Sequence, residues 1–513
     1  MRIRATVLQG LLACLLVGGG HAVTQAQLAF PPTATVPGTT PVANTAIEPP
    51  QITIPVPSPG EVRPVSFDYE AQPEGEVPPL PPSPTPDQFP SSRETPFQIA
   101  PQTPPAGDSQ TTYSGNPPVQ DLSSVLPGNF RNTRYKWYGF VRLDGIYDFD
   151  PIASTDDFVT SSIPIPQGEG DNAVLTPRYT RLGWDTETPW QAMDWSIKTR
   201  IEVDFFNGNT SGAFGSFPLR LRFAWVDVGP FLIGQAASLF MDYDVFPNVI
   251  DYEGPPGMVL MRQPIAAVRL WDNETSRLMV GVEQPYSDIQ WLEGGAWIVN
   301  PGSGIITTPG VERNIQDVPD FTASFRRNWL YGHTQVAGIA RDLGFQDAGG
   351  FQEDEFGYGI NLTGTWHPWA HLHGCPMCEA KSPLERSRFL GQYATGTGIT
   401  RYIQDANGFG LDATFDPVNG FRTIDGTGWF VAYEHWWSLR WISNFTYGEA
   451  DLNLTDTLPD NTYDSATYVT ANLIWLPVER MGVGMEVLYG TRQNKDGQEG
   501  EATRIQMAFQ YKF

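Results

Sequence analysis

The sequence predicts an all-β protein: a 16-stranded antiparallel transmembrane β-barrel with a disordered Pro-rich N-terminal segment before it. Three observations carry this expectation. From about residue 129 onward, segments of about ten residues alternate apolar and polar side chains. Short and long connections alternate between those segments. The sequence then closes on "RIQMAFQYKF". In that stretch Phe513, Tyr511, Phe509, Met507 and Ile505 share one face of a strand, and Lys512, Gln510, Ala508, Gln506 and Arg504 share the other. Strand side chains point alternately to opposite faces. A soluble sandwich strand would alternate in the same way, so the rest of the chain has to decide.

Composition narrows the choice. The chain has 513 residues and a net charge of −25, which argues against nucleic acid as a partner. Charged residues make up 17%, below the roughly 25% of ordinary soluble domains. Residues 1–26 read as an export signal: Arg2 and Arg4 give the positive end, "LQGLLACLLVGGG" the apolar run, and Thr24 and Ala26 the small residues for cleavage after Ala26. The alternative is an N-terminal anchor helix, but the run is too short to span a bilayer. No later segment offers the ~20 continuous apolar residues of a spanning helix. Cys14 lies in the signal, which leaves Cys375 and Cys378 and rules out a disulfide scaffold.

Residues 27–128 form the second division. Positions 28–128 hold 25 of the 46 prolines, and ten acids against Arg63 and Arg93. Such a segment cannot bury enough apolar surface to fold, and proline favours extended polyproline II. It reads as an acidic, semi-rigid spacer able to reach a cell-wall layer; the other reading is an unstructured tail with no partner.

Residues 129–513 carry the strands. "WYGFVRLDGIY" sets Val141 and Leu143 against Arg142 and Asp144. "WSIKTRIEVDF" sets Trp195, Ile197, Thr199, Ile201, Val203 and Phe205 against Lys198, Arg200, Glu202 and Asp204. "LRLRFAWVD" sets Leu219, Leu221, Phe223 and Trp225 against Arg220 and Arg222. Such strands need oil on one side and water on the other. In an outer-membrane barrel the oily face meets lipid and the polar face lines a wet lumen; in a soluble sandwich two oily faces meet across a core.

Sixteen strands are expected near 135–147, 178–187, 194–206, 218–228, 231–238, 264–272, 277–284, 320–328, 332–342, 356–366, 388–404, 427–437, 439–449, 463–476, 481–492 and 503–513. "TETPWQ", "VGP", "DNETS", "NWLYG", "WWS" and "PVER" are short connections, whereas 148–177, 239–263, 285–319 and 450–462 are long. Long loops sorted to one end, with an even strand number, are the pattern of an outer-membrane barrel. Trp184, Trp190, Trp225, Trp271, Trp329, Trp366, Trp436, Trp437 and Trp475 near strand ends suit aromatic girdles.

The lumen follows from the alternation. The inward faces of the first six strands carry Arg142, Arg181, Lys198, Arg200, Arg220, Arg222 and Arg269. A basic wall of this kind attracts anions and offers bidentate contacts to carboxylates. The alternative is that Asp144, Glu202 and Asp204 neutralise the cations in structural ladders. The 239–263 segment is expected to fold into the lumen, with Asp242, Asp244, Asp251 and Glu253 facing the basic wall across a transverse field; a plain external loop is the alternative. His371, His373, Cys375 and Cys378 in "HLHGCPMCEAK" are the right types for zinc or copper. The spacing is a weak signal, and a small disulfide loop in an oxidising compartment is the reading preferred, so no metal or other cofactor is expected. No catalytic constellation is present, and no enzymatic role is expected.

Several motifs go further. "YGFVRLDGIYD", "TPRYTRLGWDTETP", "TRIEVDFFN", "LRLRFAWVDVGPFLIGQAASLFMD", "GPPG", "RQP" and "VGVEQP" follow one another in this order over 137–285. Together they resemble the DcaP-like outer-membrane porins. The resemblance implies a trimeric 16-stranded channel with a basic constriction that passes small anions such as dicarboxylates. The family commonly places a helical coiled-coil segment before the barrel, and here that place is Pro-rich. The expected function is therefore passive diffusion of small hydrophilic solutes, chiefly anions, through a homotrimer in outer-membrane lipid. The rival is a secreted all-β glycan-binding protein or enzyme with the Pro-rich segment as a linker.

Overall fold

The computed structural model describes residues 133–513 except 191–192, 194, 208–216, 294–295, 300–310, 316, 348–351, 376–379, 417–419 and 457. The export signal and the spacer lie outside the described residues. Every described residue belongs to one compact unit.

Sixteen antiparallel strands form the wall. They are β1 (Arg134–Asp148), β2 (Asn172–Thr176 and Arg181–Trp190), β3 (Trp195–Asp204), β4 (Arg220–Val228), β5 (Phe231–Ala237), β6 (Arg262–Asp272), β7 (Ser276–Glu283) and β8 (Val311–Ile315 and Asp320–Trp329). The second half comprises β9 (Gly332–Asp347), β10 (Gln352–Trp366), β11 (Arg388–Thr397), β12 (Asp425–Ser438), β13 (Trp441–Asn453), β14 (Tyr463–Trp475), β15 (Met481–Asn494) and β16 (Glu499–Lys512). Each strand pairs with the next, and β1 pairs with β16 from Phe140↔Lys512 to Asp148↔Arg504, which closes the barrel. Two strands are interrupted. Both segments of β2 pair with β1, and both segments of β8 pair with β9. Pro177 and Pro319 sit at the two breaks, where a missing N–H ends the ladder.

The outer face is apolar. Val141, Leu143, Phe445, Leu473, Met507 and Phe509 are all exposed there. Trp190, Trp271, Trp329, Trp366, Trp437 and Trp475, all exposed, ring the short-turn end. On β1 the band runs from Trp137 to Tyr147. That is about 33 Å of strand at ~3.3 Å per residue, and a tilt of about 45° reduces it to the ~25 Å apolar band of an outer-membrane barrel. Among the described residues no helix is long and apolar enough to cross a membrane; the strands do the crossing.

Alternation fails in one informative place. A bulge at Glu202/Val203 shifts the β3–β4 register, so Leu219 and Leu221 face lipid while Phe223 turns inward and is 1% exposed. Trp225 follows it and lines an interior cleft, not the outer girdle or the apolar outer face expected of it. A bulge inserts one residue and reverses every later side chain.

The lumen is partly filled. Loop L3 (238–261) folds inward, as expected from the sequence. Phe240, Val245, Met258 and Val259 pack on Ala337 and Ile339 of β9, Leu390 and Ala394 of β11 and Phe430 and Ala432 of β12. Farther along, Ile250 packs on Ile442, Ile474 and Ala508. The inner face of β9–β16 is therefore partly apolar, where a uniformly polar face was expected. Wall side chains satisfy the loop backbone: Asn361 Nδ2 donates to Phe240 O (2.7 Å), Gln392 Nε2 to Gly257 O (3.0 Å) and Asn472 Nδ2 to Asn248 O (2.8 Å). Buried loop carbonyls need such partners.

Loop L6 (398–424) enters the lumen as well. The sequence reading extends β11 to residue 404, but the strand ends at Thr397 and 3-10 turns follow at Thr400–Tyr402 and Gln404–Ala406. Arg341 of β9 clamps this loop, donating to Asp412 (2.8 Å) and to Asp320 (3.1 Å). Part of L6 forms a four-stranded sheet with the β7–β8 loop, including a parallel pairing of Ala413–Phe415 with Ile289–Trp291. At the other end, the connection between β10 and β11 is no tight turn: it holds a short helix, Pro368–Leu372.

Candidate functional site

With L3 pressed on β9–β16, the interior left to solvent lies along β2–β8. Here β3 and β4 place charges at alternate positions, spaced by about 6.6 Å at ~3.3 Å per residue. On β3 these are Lys198, Arg200, Glu202 and Asp204; on β4 they are Arg220, Arg222 and Asp227.

Every arginine predicted for the wall has a carboxylate partner, so the ladder reading holds for the pairing. Arg200 grips Asp185 with Nε and Nη2, both at 2.8 Å. Arg220 grips Asp204 at 2.9 and 2.7 Å. Arg222 bridges Glu202 (2.8 Å) and Asp204 (2.9 Å), and Arg181 lies 3.5 Å from Glu202. Arg269 pairs with Asp227 and donates to Gly229 O at 2.9 Å. Lys198 is half-buried and sits in register with Glu187 and Asp227.

The balance of these pairs is uneven. Three guanidinium groups, Arg181, Arg220 and Arg222, share two carboxylates, Glu202 and Asp204. Close by, Arg262 donates to the Tyr243 hydroxyl (3.1 Å). The carboxylates lie beneath the cations: the Arg220 side chain is 39% exposed and that of Asp204 2%. At this cluster a solute therefore meets the Arg220 guanidinium before the carboxylates, whereas Asp185 and Asp244 are more exposed than their partners Arg200 and Arg326.

Arg142 must be corrected. It is fully buried beneath L3, bonded to Asp144 and to Ile250 O, and lines no open channel. Asp242 and Asp244 also need correction. They lie in L3 but face the opposite wall from the one expected. Arg326 of β8 reaches Asp242 at 3.3 Å and Asp244 at 2.6 Å, and His333 of β9 holds Asp242 at 2.8 Å. Burial alone would raise the Asp242 carboxyl, but His333 and Arg326 outweigh it and hold it below the usual range. The transverse field expected between these acids and β1–β4 is thus closed off by Arg326. Asp251 and Glu253 also pack away from that wall, against L1 (149–171) and L6.

Arg277 and Arg326 were missed by the sequence reading. Both line the same cleft as Trp225, Tyr243, Asp244 and Arg269. For Arg326 the signal was there: Phe321 and Phe325 face out, which puts Arg326 on the inner face by alternation.

In the β10–β11 connection, His371 stacks on Tyr331 with centroids 4.5 Å apart and accepts from Trp366 Nε1 (3.3 Å). His373 bonds Glu385 (3.0 Å). The two imidazoles thus have separate partners. Cys378 lies outside the described residues, and its pairing with Cys375 stays an expectation.

Residues 124–300 match the family model described as DcaP outer membrane protein. Among solved structures, the outer membrane channel DcaP of Acinetobacter baumannii matches with a TM-score of 0.60 at 20% identity, over 74% of this chain and 98% of that one. An anion-selective porin from Comamonas acidovorans matches with a TM-score of 0.45 at 9% identity, over 74% of this chain and 100% of that one. No curated protein matches the chain. With the DcaP outer-membrane-protein signature running across β1–β7 and the fold of a DcaP channel around the whole barrel, this chain is an outer-membrane β-barrel that carries that signature.

Proposed function

We propose that this porin is a passive channel for small hydrophilic solutes that favours anions, carboxylates among them. The observation that supports the preference most directly is the surplus of guanidinium over carboxylate at Arg181, Arg220, Arg222 and Arg262. Two unit charges 4 Å apart interact by about 1 kcal/mol in bulk water and by more where water is partly excluded. At ~0.1 M salt the Debye length is about 10 Å, comparable with a pore radius, so the surplus is felt across the lumen. Arginine adds bidentate geometry for carboxylates. The homotrimer implied by the family resemblance, and contact of the 27–128 spacer with the cell wall, belong to the same reading. Nothing enzymatic is proposed.

Planar-bilayer recording in a potassium chloride gradient tests the preference. A reversal potential of the sign set by chloride supports it, and one of the sign set by potassium refutes it. Chemical cross-linking of the detergent-extracted protein tests the trimer, with a ladder ending at three subunits expected.

A further inference from the structure

Loops L1, L3 and L6 meet inside the barrel through carboxylates rather than through ion pairs. Asp157 comes from L1, Asp251 and Glu253 from L3, and Asp405 from L6. Asp251 and Asp405 are fully buried, and Asp157 and Glu253 half-buried. None of the salt bridges among the described residues reaches these four groups. Asp251 and Asp405 instead tie their loops to L1 through their carboxylates. Asp251 accepts from Phe158 N of L1 (3.1 Å) and Gly254 N (3.3 Å). Asp405 accepts from Ser161 N (2.9 Å) and the Thr160 hydroxyl of L1. Gln404 Nε2 of L6 donates to the backbone carbonyl of Glu253 (2.5 Å), which sets the Glu253 carboxyl beside Asp157, Asp251 and Asp405. The Tyr179 hydroxyl lies within hydrogen-bond reach of both Asp157 and Asp251, and its one proton serves two carboxyls.

The charged groups around them are committed elsewhere. Arg178 pairs with Asp156, Arg220 with Asp204 and Arg504 with Asp148. Arg492 donates to the carbonyls of Ser161 and Ile163. Glu486 of β15 adds another carboxyl, accepting from Ile250 N and Asp251 N. Tyr463 and Tyr468 border the cluster, each with a buried hydroxyl that finds no partner.

We propose that Asp157, Asp251, Glu253 and Asp405 form a protonation latch that holds L1 and L6 on L3 and releases them as the pH rises, widening the channel. Like charges this close cannot all be ionised while buried. Burial and the neighbouring carboxylates push Asp157 up to about 7 and Glu253 up to about 8. Burial pushes Asp405 up to about 6. Once the loops part, each acid regains its ordinary value near 4. Between about 4 and 8 the closed arrangement therefore binds more protons than the open one, and linkage makes closure less stable as the pH rises through that window. Closure is strongest below it and weakest above it.

The latch needs only that the barrel conducts, not that it prefers anions. Reversal potentials from the same traces report ion preference separately. Full-length protein in planar bilayers is expected to show a severalfold rise in conductance between pH 5 and pH 9. The triple variant Asp157→Asn, Glu253→Gln, Asp405→Asn, which keeps the shape and leaves Asp251 as the one ionisable group of the latch, is expected to stay close to the low value throughout. Glu253→Gln alone, the milder change should the triple variant not assemble, is expected to show a smaller rise. A wild-type conductance that ignores pH, or a single or triple variant that keeps the full wild-type rise, overturns the latch.

Discussion

Arg222 and Arg220 are neighbours on one strand face with different roles. Arg222 is almost fully buried and ties Glu202 to Asp204; Arg220 keeps a half-exposed head in the channel. Removing one partner of a buried pair strands a charge in low dielectric and costs about 3–5 kcal/mol. Arg181 and Tyr138 still hold Glu202, so Arg222→Gln is expected at the low end, about 3 kcal/mol. Urea unfolding followed by the gel mobility of unheated samples measures it. A loss no greater than that of Arg220→Gln would contradict the buried-bridge reading. The charges themselves were legible from alternation, but their pairing was not. Alternation gives the face of a side chain, whereas the partner depends on register, and the Glu202/Val203 bulge sets that register here.

L3 decides how much lumen remains, and Gly257 is where it touches the wall most closely. A Cβ there would stand 2.0 Å from Glu449 O and 2.4 Å from Trp429 N. Facing it, a Cβ on Gly428 would lie 2.5 Å from Gly257 O. Glycine permits this approach because it lacks a Cβ. Gly257→Val is expected to lift L3 from β12–β13 and raise single-channel conductance; an unchanged conductance in a folded barrel would show that L3 does not set the bore. At the last strand, Phe513 N donates to Gly139 O (3.1 Å) and its ring faces outward. Phe513→Asp places a charge where lipid lies, so less folded barrel is expected in the outer membrane, measured as the heat-modifiable fraction. Strands β1–β7 were plain in the sequence because one face is charged and the other oily. Strands β9–β16 were plainer in loop spacing than in pattern, because L3 and L6 seal their inner face and let Ile339, Leu390 and Ile442 stand where polar residues were expected. The entry of L6 left no local mark: its anchors, Arg341 and Asp320, are distant in sequence.

For the whole molecule, the barrel closes on itself through β1 and β16, and among the described residues the wall begins at Arg134. Deleting residues 28–128 is therefore expected to leave single-channel conductance unchanged; a lower or higher value in a folded truncation would mean that the spacer reaches the pore. The cluster on β2–β4, with three guanidinium groups over two carboxylates, is the basis of the proposed anion preference. The reversal potential of Arg220→Gln, recorded beside the wild type in one salt gradient, tests that most directly. A shift toward zero with the barrel intact is the predicted result. A reversal potential equal to that of the wild type would mean that the half-exposed Arg220 head adds nothing to the field of the pore, and would contradict the proposed anion preference.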